Sequence, residues 1–238
     1  MQHYSLGFDK DQIIVTNLDN QIIKSRAVFT NEIKANPNIE SISYAESLLS
    51  GFDSYSTWSR KFKGEDKMFQ VLAVDTGFMK TMGIDLLDGR DLMSSDTQSD
   101  HIVFIFNEKA RDEFGLSLGE KTDQGDEIVG FIPNITVTSL RKELEPMAFM
   151  YANPHHSAGC RWAYIRVKTG SDMNGVMQYI KNTLNKVSPG FPFNVRIYDT
   201  ILNNLYAKEN NLTSMIIWFS LIAVMISMVG VFGLVVFE

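Results

Sequence analysis

The segment WAYIRVKTGSDMNGVMQYIKNTLNKVSPGFPFNVRIY, residues 162–198, decides the fold. Its first six residues alternate between apolar and other side chains, which indicates a β-strand. Asp172 is placed to cap a helix that residues 188–190 (Ser-Pro-Gly) end. Residues 193–198 then return as a second strand, so the segment predicts one β-α-β unit.

An earlier segment of similar length predicts a second β-α-β unit. Gln12 to Leu18 is rich in β-branched residues and predicts a strand. Residues 22–35 follow helical spacing up to Pro37, and Ile39 to Ala45 alternates as another strand. Two such units predict an α+β fold with a split β-α-β, ferredoxin-like (porter-like) sheet and helices on one face.

The sequence between these units differs in composition, being rich in Gly, Asp and Ser. We interpret residues 51–125 as an inserted mixed α/β lobe, which leaves residues 1–50 and 126–198 as a discontinuous porter-like domain. Inside the lobe, short strands are expected near Met68–Val74 and His101–Phe106, and short helices near Gly77–Met82 and Asn107–Phe114. Two further strands, at Glu127–Ile132 and Met147–Tyr151, are expected to lead back to the main sheet.

The end of the chain predicts a membrane helix. Residues 213–237 run for 25 residues without a charge. As a helix they would be about 37 Å long, enough to cross a hydrocarbon core of roughly 30 Å. Asp199 is placed to cap a stalk helix, residues 199–212, that continues into this span. The first residues carry no signal peptide, so an extracytoplasmic domain would need a further span upstream, and we expect the chain to be a fragment.

Composition and motifs argue against nucleic-acid binding, a disulfide-dependent fold and the usual nucleotide-binding loops. The net charge is −6, and the basic residues are scattered among acids, which argues against nucleic-acid binding. Cys160 is the single cysteine, so the fold cannot depend on an internal disulfide. The sequence contains neither GxxxxGK[ST] nor GxGxxG, so it carries none of the usual nucleotide-binding loops.

Candidate catalytic patterns are few, and each has a structural interpretation that we favour. Residues 115–119, GLSLG, match the nucleophile-elbow pattern around Ser117, but a helix precedes them, which favours a glycine-bounded turn. Carboxylates that could do acid–base work surround Gly89, where a turn with side-chain-to-backbone bonds explains the same residues. The carboxylates are those of Asp85, Asp88 and Asp91, and Arg90 lies among them.

One cluster of residues could form a metal site. His155, His156 and Cys160 are close in sequence, but they supply three ligands at most, and a solvated loop is the better explanation of them. We therefore expect no catalytic, cofactor-binding or metal-binding residue, no cofactor and no enzymatic activity.

Small residues recur along one face of the predicted span. They are either ordinary span composition or a packing face for other helices of the same permease or of a second protomer. The residues concerned are Ala223, Ser227, Gly230 and Gly233.

Several segments, taken in order, resemble the MacB/FtsX-type ABC transporter permeases. The resemblance covers nearly the whole chain and rests on these pieces: LGFDKDQIIV (6–15), GIDLLDGRDL (83–92), NEKA (107–110), EIVGFIPN (127–134), YIRVKTG (164–170), LYAKE (205–209) and VGVFGL (229–234).

The resemblance implies a periplasmic core domain that precedes the second of four membrane helices, in the bacterial inner membrane. It implies a separate or fused ATPase that hydrolyses ATP, a second permease protomer, and an adaptor or cargo protein in the periplasm. The first span, the last two spans and the cytosolic loop after the second span are absent from this sequence. The family carries no catalytic residue in this region.

Three functions follow as hypotheses. The first is the extracytoplasmic domain of an ABC permease, which couples ATPase-driven movement to export or release of a substrate. The second is a membrane-anchored sensor or ligand-binding domain with a pocket in the inserted lobe. The third is a membrane-tethered hydrolase that uses Ser117 or the acids around Gly89.

Overall fold

A computed structural model describes residues 11–49, 55–98, 101–135, 144–152, 159–203 and 219–228. The chain divides into two compact units, Met1–Thr200 and Ile201–Glu238. The strands of the first unit are β1 Ile13–Asn17, β2 Ile39–Ala45, β3 Ser56–Phe62, β4 Glu65–Val74, β5 Asp88–Gly89, β6 Val103–Asn107, β7 Glu127–Ile132, β8 Met147–Tyr151, β9 Trp162–Val167 and β10 Arg196–Ile197. Its helices are α1 Asn20–Lys24, α2 Arg26–Lys34, α3 Phe78–Met82, α4 Glu108–Phe114 and α5 Met173–Val187.

A single mixed sheet of ten strands runs through the first unit. Nine strands follow the order β10-β1-β9-β2-β4-β8-β6-β7-β5, and β3 pairs with β4. We refer to β10-β1-β9-β2 as the four-stranded half and to the remaining strands as the inserted half. The sheet is continuous across both halves, so the domain boundaries at residues 50/51 and 125/126 stay predictions.

The four-stranded half confirms the two β-α-β units. β9 lies antiparallel between β1 and β2, and β1 lies antiparallel between β9 and β10. This order is that of a split β-α-β sheet. The last strand is shorter than expected, because residues 198–203 are already helical. Asp199 therefore lies inside the first helical turn and not at its cap.

Helices α1, α2 and α5 cover one face of this half. Asp172 caps α5 as predicted, its Oδ1 accepting a hydrogen bond from the Asn174 amide at 3.0 Å. Asp19 caps α1 in the same way through the Ile22 amide at 2.9 Å. The sequence indicated one helix over residues 22–35, whereas the structure has two, which meet at Ser25.

The opposite face of the four-stranded half is covered by α3, a helix from the inserted half. The Thr81 hydroxyl donates a hydrogen bond to Ser41 of β2, and the Arg166 Nε of β9 donates to the Thr81 carbonyl oxygen at 2.6 Å. The expectation of helices on one face was therefore incomplete, because an element remote in sequence packs against the second face.

The inserted half has a core rich in aromatic rings. Its predicted strands and short helices are present as β4, β6, α3 and α4. Strand β8 pairs with β4 and β6, while β7 pairs with β6 and β5. The two strands expected to lead back to the main sheet thus lie in the inserted half.

The two halves of the sheet meet over a short junction. Strands β2 and β4 pair through one Cα register pair, Ala45 with Val74. The backbone adds hydrogen bonds from Glu46 N to Ala73 O at 2.8 Å and from Asp75 N to Tyr44 O at 2.9 Å. On the α3 face, the Phe78 ring bridges the halves, with its centroid 5.7 Å from Phe149 and 5.1 Å from Tyr164.

The second unit is described in part. Residues 201–203 and 219–228 are helical, and the Ser227 hydroxyl donates to the Ala223 carbonyl oxygen at 2.9 Å. Within the residues that the structure describes, no helix reaches the length and apolar character needed to cross a membrane. Most of the predicted stalk and span, including Gly230 and Gly233, lies outside the described residues.

Candidate functional site

A cleft opens where helix α2 passes the junction between β2 and β4. Its volume is about 550 Å³. We call it the junction cleft. Its lining is mixed, with two cationic side chains, one carboxyl group and several neutral ones: Arg26, Ala27, Thr30, Asn31, Lys34, Ile42, Tyr44, Asp75 and Thr76.

Regular secondary structure places these side chains together. Arg26, Thr30 and Lys34 are four residues apart on α2, so they share one face of the helix. On β2, alternation directs Ile42 and Tyr44 toward the same helix-covered face. Asp75 follows β4 directly, at the end of the strand that meets β2. The cleft is therefore built by a helix of one half and a strand end of the other.

Tyr44 forms the floor of the cleft. Its hydroxyl lies 2.6 Å from the Thr30 Oγ1, and the Arg26 guanidinium lies 5.0 Å from the centre of its ring. Burial raises the pKa of the Tyr44 phenol well above its ordinary value. The phenol therefore stays protonated and serves as a packing and hydrogen-bonding group.

Asp75 ties the two halves of the sheet together. Its Oδ1 accepts a hydrogen bond from the Tyr44 amide at 3.0 Å, while its own amide donates to the Tyr44 carbonyl oxygen at 2.9 Å. Burial raises the pKa of this carboxyl group to about 7, from an ordinary value of 3.8. The group at the junction is thus one whose charge changes near neutral pH.

Arg26 has few partners for its size. Its Nη2 donates to the Cys160 carbonyl oxygen over a long 3.5 Å, and its buried Nε finds no acceptor among the described residues. A guanidinium has five N–H donors. Arg26 therefore brings several unused donors to the wall of the cleft.

Cys160 is buried beneath Arg26. Burial raises the pKa of its thiol to about 12, so the thiolate needed for nucleophilic attack or metal ligation is disfavoured. His155 and His156, its partners in the metal site considered from sequence, lie outside the described residues. In the part of the chain that the structure describes, no three His, Cys, Asp or Glu side chains form a group suited to a metal ion.

Ser117 lies in a turn of the kind that the sequence favoured. Gly115 takes a left-handed conformation at the end of α4, and the Ser117 amide donates to the Glu120 carboxylate at 3.0 Å. A helix precedes the serine where a nucleophile elbow requires a strand. The geometry is that of a capped helix end.

The acids around Gly89 also serve a turn. Asp88 and Asp91 each accept a hydrogen bond from the amide of the next residue, at 2.8 and 2.7 Å. Arg90 forms two hydrogen bonds with Asp96, at 3.0 and 2.8 Å. Asp85 is exposed. The structure therefore shows the predicted side-chain-to-backbone bonds in this segment.

Reasoning from sequence missed the junction cleft. Two signals were available: the spacing of Arg26, Thr30 and Lys34, and an acid directly after a buried strand at Asp75. Neither signal shows that the end of β4 lies beside α2, because that contact depends on how the inserted half joins the sheet.

Comparisons with known proteins bear on the fold. No protein-family model matches the sequence, and no curated protein matches it significantly. The structure does match that of the periplasmic region of MacB from Actinobacillus actinomycetemcomitans, with a TM-score of 0.59 and 12% sequence identity. This match covers 86% of the present chain and 97% of the MacB region.

Two further solved structures also match the fold of this chain. The extracellular domain of the noncanonical ABC-type transporter YknZ from Gram-positive bacteria gives a TM-score of 0.53 at 14% identity, covering 77% of this chain and 99% of that domain. A domain described as that of a permease protein from Porphyromonas gingivalis gives a TM-score of 0.55 at 13% identity. This match covers 80% of the present chain and 93% of that domain. The chain therefore has the fold of these extracytoplasmic transporter domains, as the resemblance in its sequence predicted.

Proposed function

We propose that this chain is the extracytoplasmic domain of an ABC transporter permease, anchored in the bacterial inner membrane with its folded part in the periplasm. In this role it couples ATPase-driven movement to the export or release of a substrate. The observation that supports the proposal most directly is the fold match to the MacB periplasmic region over 97% of that region.

The architecture suits a part that transmits movement. Each half of the sheet has its own core cluster, and the strands of the two halves pair through one Cα register pair, with α3 packed across the junction. A small rearrangement of these junction contacts would let the halves shift relative to one another without unfolding either core. Residues 198–203 begin a helix directly after β10, in the position of the proposed stalk.

The proposal includes partners and excludes catalysis by this chain. ATP is hydrolysed by a separate ATPase subunit, since the sequence has no phosphate-binding loop. A second permease protomer, and an adaptor or cargo protein in the periplasm, complete the assembly. The span over residues 213–237 holds the domain at the membrane.

The test uses the intact protein, tagged at its chromosomal copy and purified from solubilised membranes. We expect a subunit with a Walker-type ATPase domain to co-purify, with ATP turnover that depends on the permease. Asn203→Pro is expected to break the helix at the base of the stalk and to lower this turnover, because proline costs about 3 kcal/mol inside a helix.

The matched control is Asn203→Ala, which keeps the helix and should keep the turnover. Absence of an ATPase subunit from the purified material would contradict the proposal. Equal turnover for the proline and alanine variants would contradict mechanical coupling through this helix.

The alternative is a membrane-anchored sensor or ligand-binding domain, and the junction cleft is the observation that favours it. Its pocket would be either the junction cleft or a smaller cleft of about 300 Å³ in the inserted half, lined by Gly89, Arg90 and Leu118 among others, where the sequence suggested a pocket. A ligand-dependent response of the purified protein without any associated ATPase would favour this alternative.

A further inference from the structure

The unused donors of Arg26 are the starting point. In the described structure, its Nη2 donates to the Cys160 carbonyl oxygen at 3.5 Å and the guanidinium also bonds the Cys160 side chain, while its buried Nε has no acceptor among the described residues. Buried polar groups in folded proteins nearly always have partners. An acceptor that enters the cleft would supply what this guanidinium lacks.

Arg26 is also held in place. Its guanidinium lies 5.0 Å from the centre of the Tyr44 ring, and Tyr44 is fixed in turn by the Thr30 hydroxyl at 2.6 Å. A cation over an aromatic face is attracted to it. The donors are thus positioned before any ligand binds, which lowers the entropy cost of binding.

A second cation lies on the same face of the helix. Lys34 lines the cleft and forms no ion pair among the residues that the structure describes. The nearby acid of α2, Glu32, is engaged with Lys186 of α5 at 3.2 Å. Arg60 and Arg90, by contrast, are both paired with aspartates. The cleft therefore gathers two cations that form no ion pair among the described residues, although the Asp75 carboxyl group is close enough to attract Arg26.

Asp75 is the one acidic residue in the described lining, where burial disfavours its charged form and Arg26 attracts it. Burial raises the pKa of its carboxyl group to about 7, and the Tyr44 amide already bonds its Oδ1. Other titratable groups that act on this cluster are Cys160, Glu46 and Tyr151. The thiol and the phenol keep their protons, because burial raises both of their pKa values.

We propose that the junction cleft is a binding site for an anionic group, a carboxylate or a phosphate-like oxyanion, with Arg26 as its main ligand and Lys34 as a second cation. A planar guanidinium binds either group through two parallel hydrogen bonds. The site belongs to the folded chain, and it holds whether or not the protein works as a permease.

The experiment uses the full 238-residue chain in detergent micelles, labelled with ¹⁵N. The probe is sulfate, which keeps the same charge between pH 5.5 and 8.5, added at constant ionic strength against chloride. The readout is the Nε–H resonance of Arg26 together with the backbone amides of Thr30 and Thr76, which line the cleft and remain observable when Arg26 is replaced. A saturable shift of these resonances is expected, whereas a shift that stays linear up to high sulfate would overturn the proposal.

Four variants locate the site. Arg26→Gln is expected to weaken sulfate binding by about tenfold or more, and Lys34→Gln by about threefold, since Lys34 is more exposed. Arg26→Lys should retain part of the affinity. Arg196→Gln, an exposed arginine of β10 bonded to Asn194, is the matched control and should bind as the unchanged chain does.

Lys34→Gln keeps the test informative if a change at Arg26 disturbs folding, because Lys34 is exposed and touches no core. Backbone amide spectra establish that each variant is folded. Sulfate binding that is unchanged in both Arg26→Gln and Lys34→Gln would overturn the proposal.

Asp75→Asn tests whether the anion lies beside this carboxyl group. In the unchanged chain, sulfate should bind more tightly at pH 6 than at pH 8, because Asp75 loses its charge. Asp75→Asn should bind about fivefold more tightly at pH 8 and remove this dependence, since one nearby like charge is gone. No change in affinity would place the anion elsewhere and overturn the assignment.

Acetate and inorganic phosphate, titrated in the same way, separate the two forms of the ligand. Tighter binding of acetate assigns the site to carboxylates, and tighter binding of phosphate assigns it to phosphate-like groups. Binding of neither probe, together with a linear sulfate response, would overturn the proposal.

Discussion

The two halves of the sheet are built from different cores. The core cluster of the four-stranded half is mainly aliphatic, with Phe29 as its single Phe, and α1, α2 and α5 pack over it. The core cluster of the inserted half contains five Phe residues: Phe62, Phe69, Phe104, Phe106 and Phe131. In the inserted half, one short helix, α4, contacts β6, β7 and β8.

The difference shows how each half is held together. In the four-stranded half, every strand–helix–strand unit is continuous in sequence. In the inserted half, Phe69 of β4 meets Phe104 and Phe106 of β6 at 5.6 and 4.9 Å between ring centres, although more than thirty residues separate them. Aromatic contacts across strands thus replace the cover that long helices give the other half.

Removing the central ring of the aromatic core should have the largest effect. Phe104 is fully buried and contacts the rings of Trp58, Phe69 and Phe106. Phe104→Ala should lower the free energy of unfolding by about 3–5 kcal/mol. Urea unfolding followed by circular dichroism measures this, and Phe104→Leu should lose much less. A loss below about 1 kcal/mol for the alanine variant would show that the rings are not the basis of this core.

The helix caps of the two halves give the next comparison. Asn107 caps α4, and its Oδ1 accepts from the amides of Ala110 and Met147, both at 3.0 Å. Asn107→Ala leaves two buried amides without an acceptor and should cost about 3 kcal/mol. Asp172→Ala, at the exposed cap of α5, should cost about 1 kcal/mol. Equal losses of unfolding free energy for the two variants, measured in urea, would contradict the idea that Asn107 holds α4 and the start of β8 together.

A pair of glycines sharpens the comparison at the edge of the inserted half. Gly89 and Gly64 share a φ of +82°, but a Cβ at Gly89 would lie 2.3 Å from the Val129 carbonyl oxygen, and one at Gly64 meets nothing within 4 Å. Gly64→Ala should therefore cost about 1 kcal/mol, from backbone strain alone. Gly89→Ala should cost about 2–3 kcal/mol, since β5 must move away from β7. Thermal unfolding of both variants measures this difference. Equal decreases in Tm would contradict the close approach of Gly89 to the Val129 carbonyl oxygen.

The smallest expected effect is a pH dependence at the junction of the halves. The pKa of Asp75 in the folded chain, about 7, lies above the ordinary value of 3.8 expected in the unfolded chain, so the folded state favours the protonated carboxyl group. This stabilisation is full below pH 3.8 and is lost as the pH rises to about 7. Asp75→Asn should therefore match the unchanged chain near pH 3 and exceed its stability by about 1–2 kcal/mol at pH 5.

Unfolding in urea at several pH values measures this effect. Asp66→Asn, which alters an exposed carboxyl group of β4, is the control. Parallel pH profiles for Asp75→Asn and the unchanged chain would contradict the assignment of a raised pKa to Asp75.

Local patterns predicted much of the fold. The alternation of residues 162–167, the cap at Asp172 and the helical spacing up to residue 187 all describe structure formed by neighbours in sequence, and the structure agrees. The strands and short helices near residues 68–74, 77–82, 101–106 and 107–114 were predicted for the same reason. The continuous sheet was not, because strand pairing joins residues that are far apart in the chain.

The junction cleft, unlike these local elements, could not be predicted from local sequence patterns. Arg26 and Lys34 are visible in the sequence as ordinary charges of an amphipathic helix, and Asp75 as an acid after a strand. Their meeting depends on the pairing of β2 with β4 at Ala45 and Val74. No local pattern specifies that pair, since its two residues are 29 positions apart and a whole hairpin lies between them.

The sequence by itself determined the two β-α-β units, the helix cap at Asp172 and an apolar segment long enough for a membrane helix. These properties depend on hydrogen bonds and side-chain periodicity within a few residues. The tertiary structure decided that both halves share one sheet, that α3 covers the second face of the four-stranded half, and that a cleft with two unpaired cations opens at the junction among the described residues. Those features depend on contacts between distant segments, whose free energy arises only when the whole sheet is assembled.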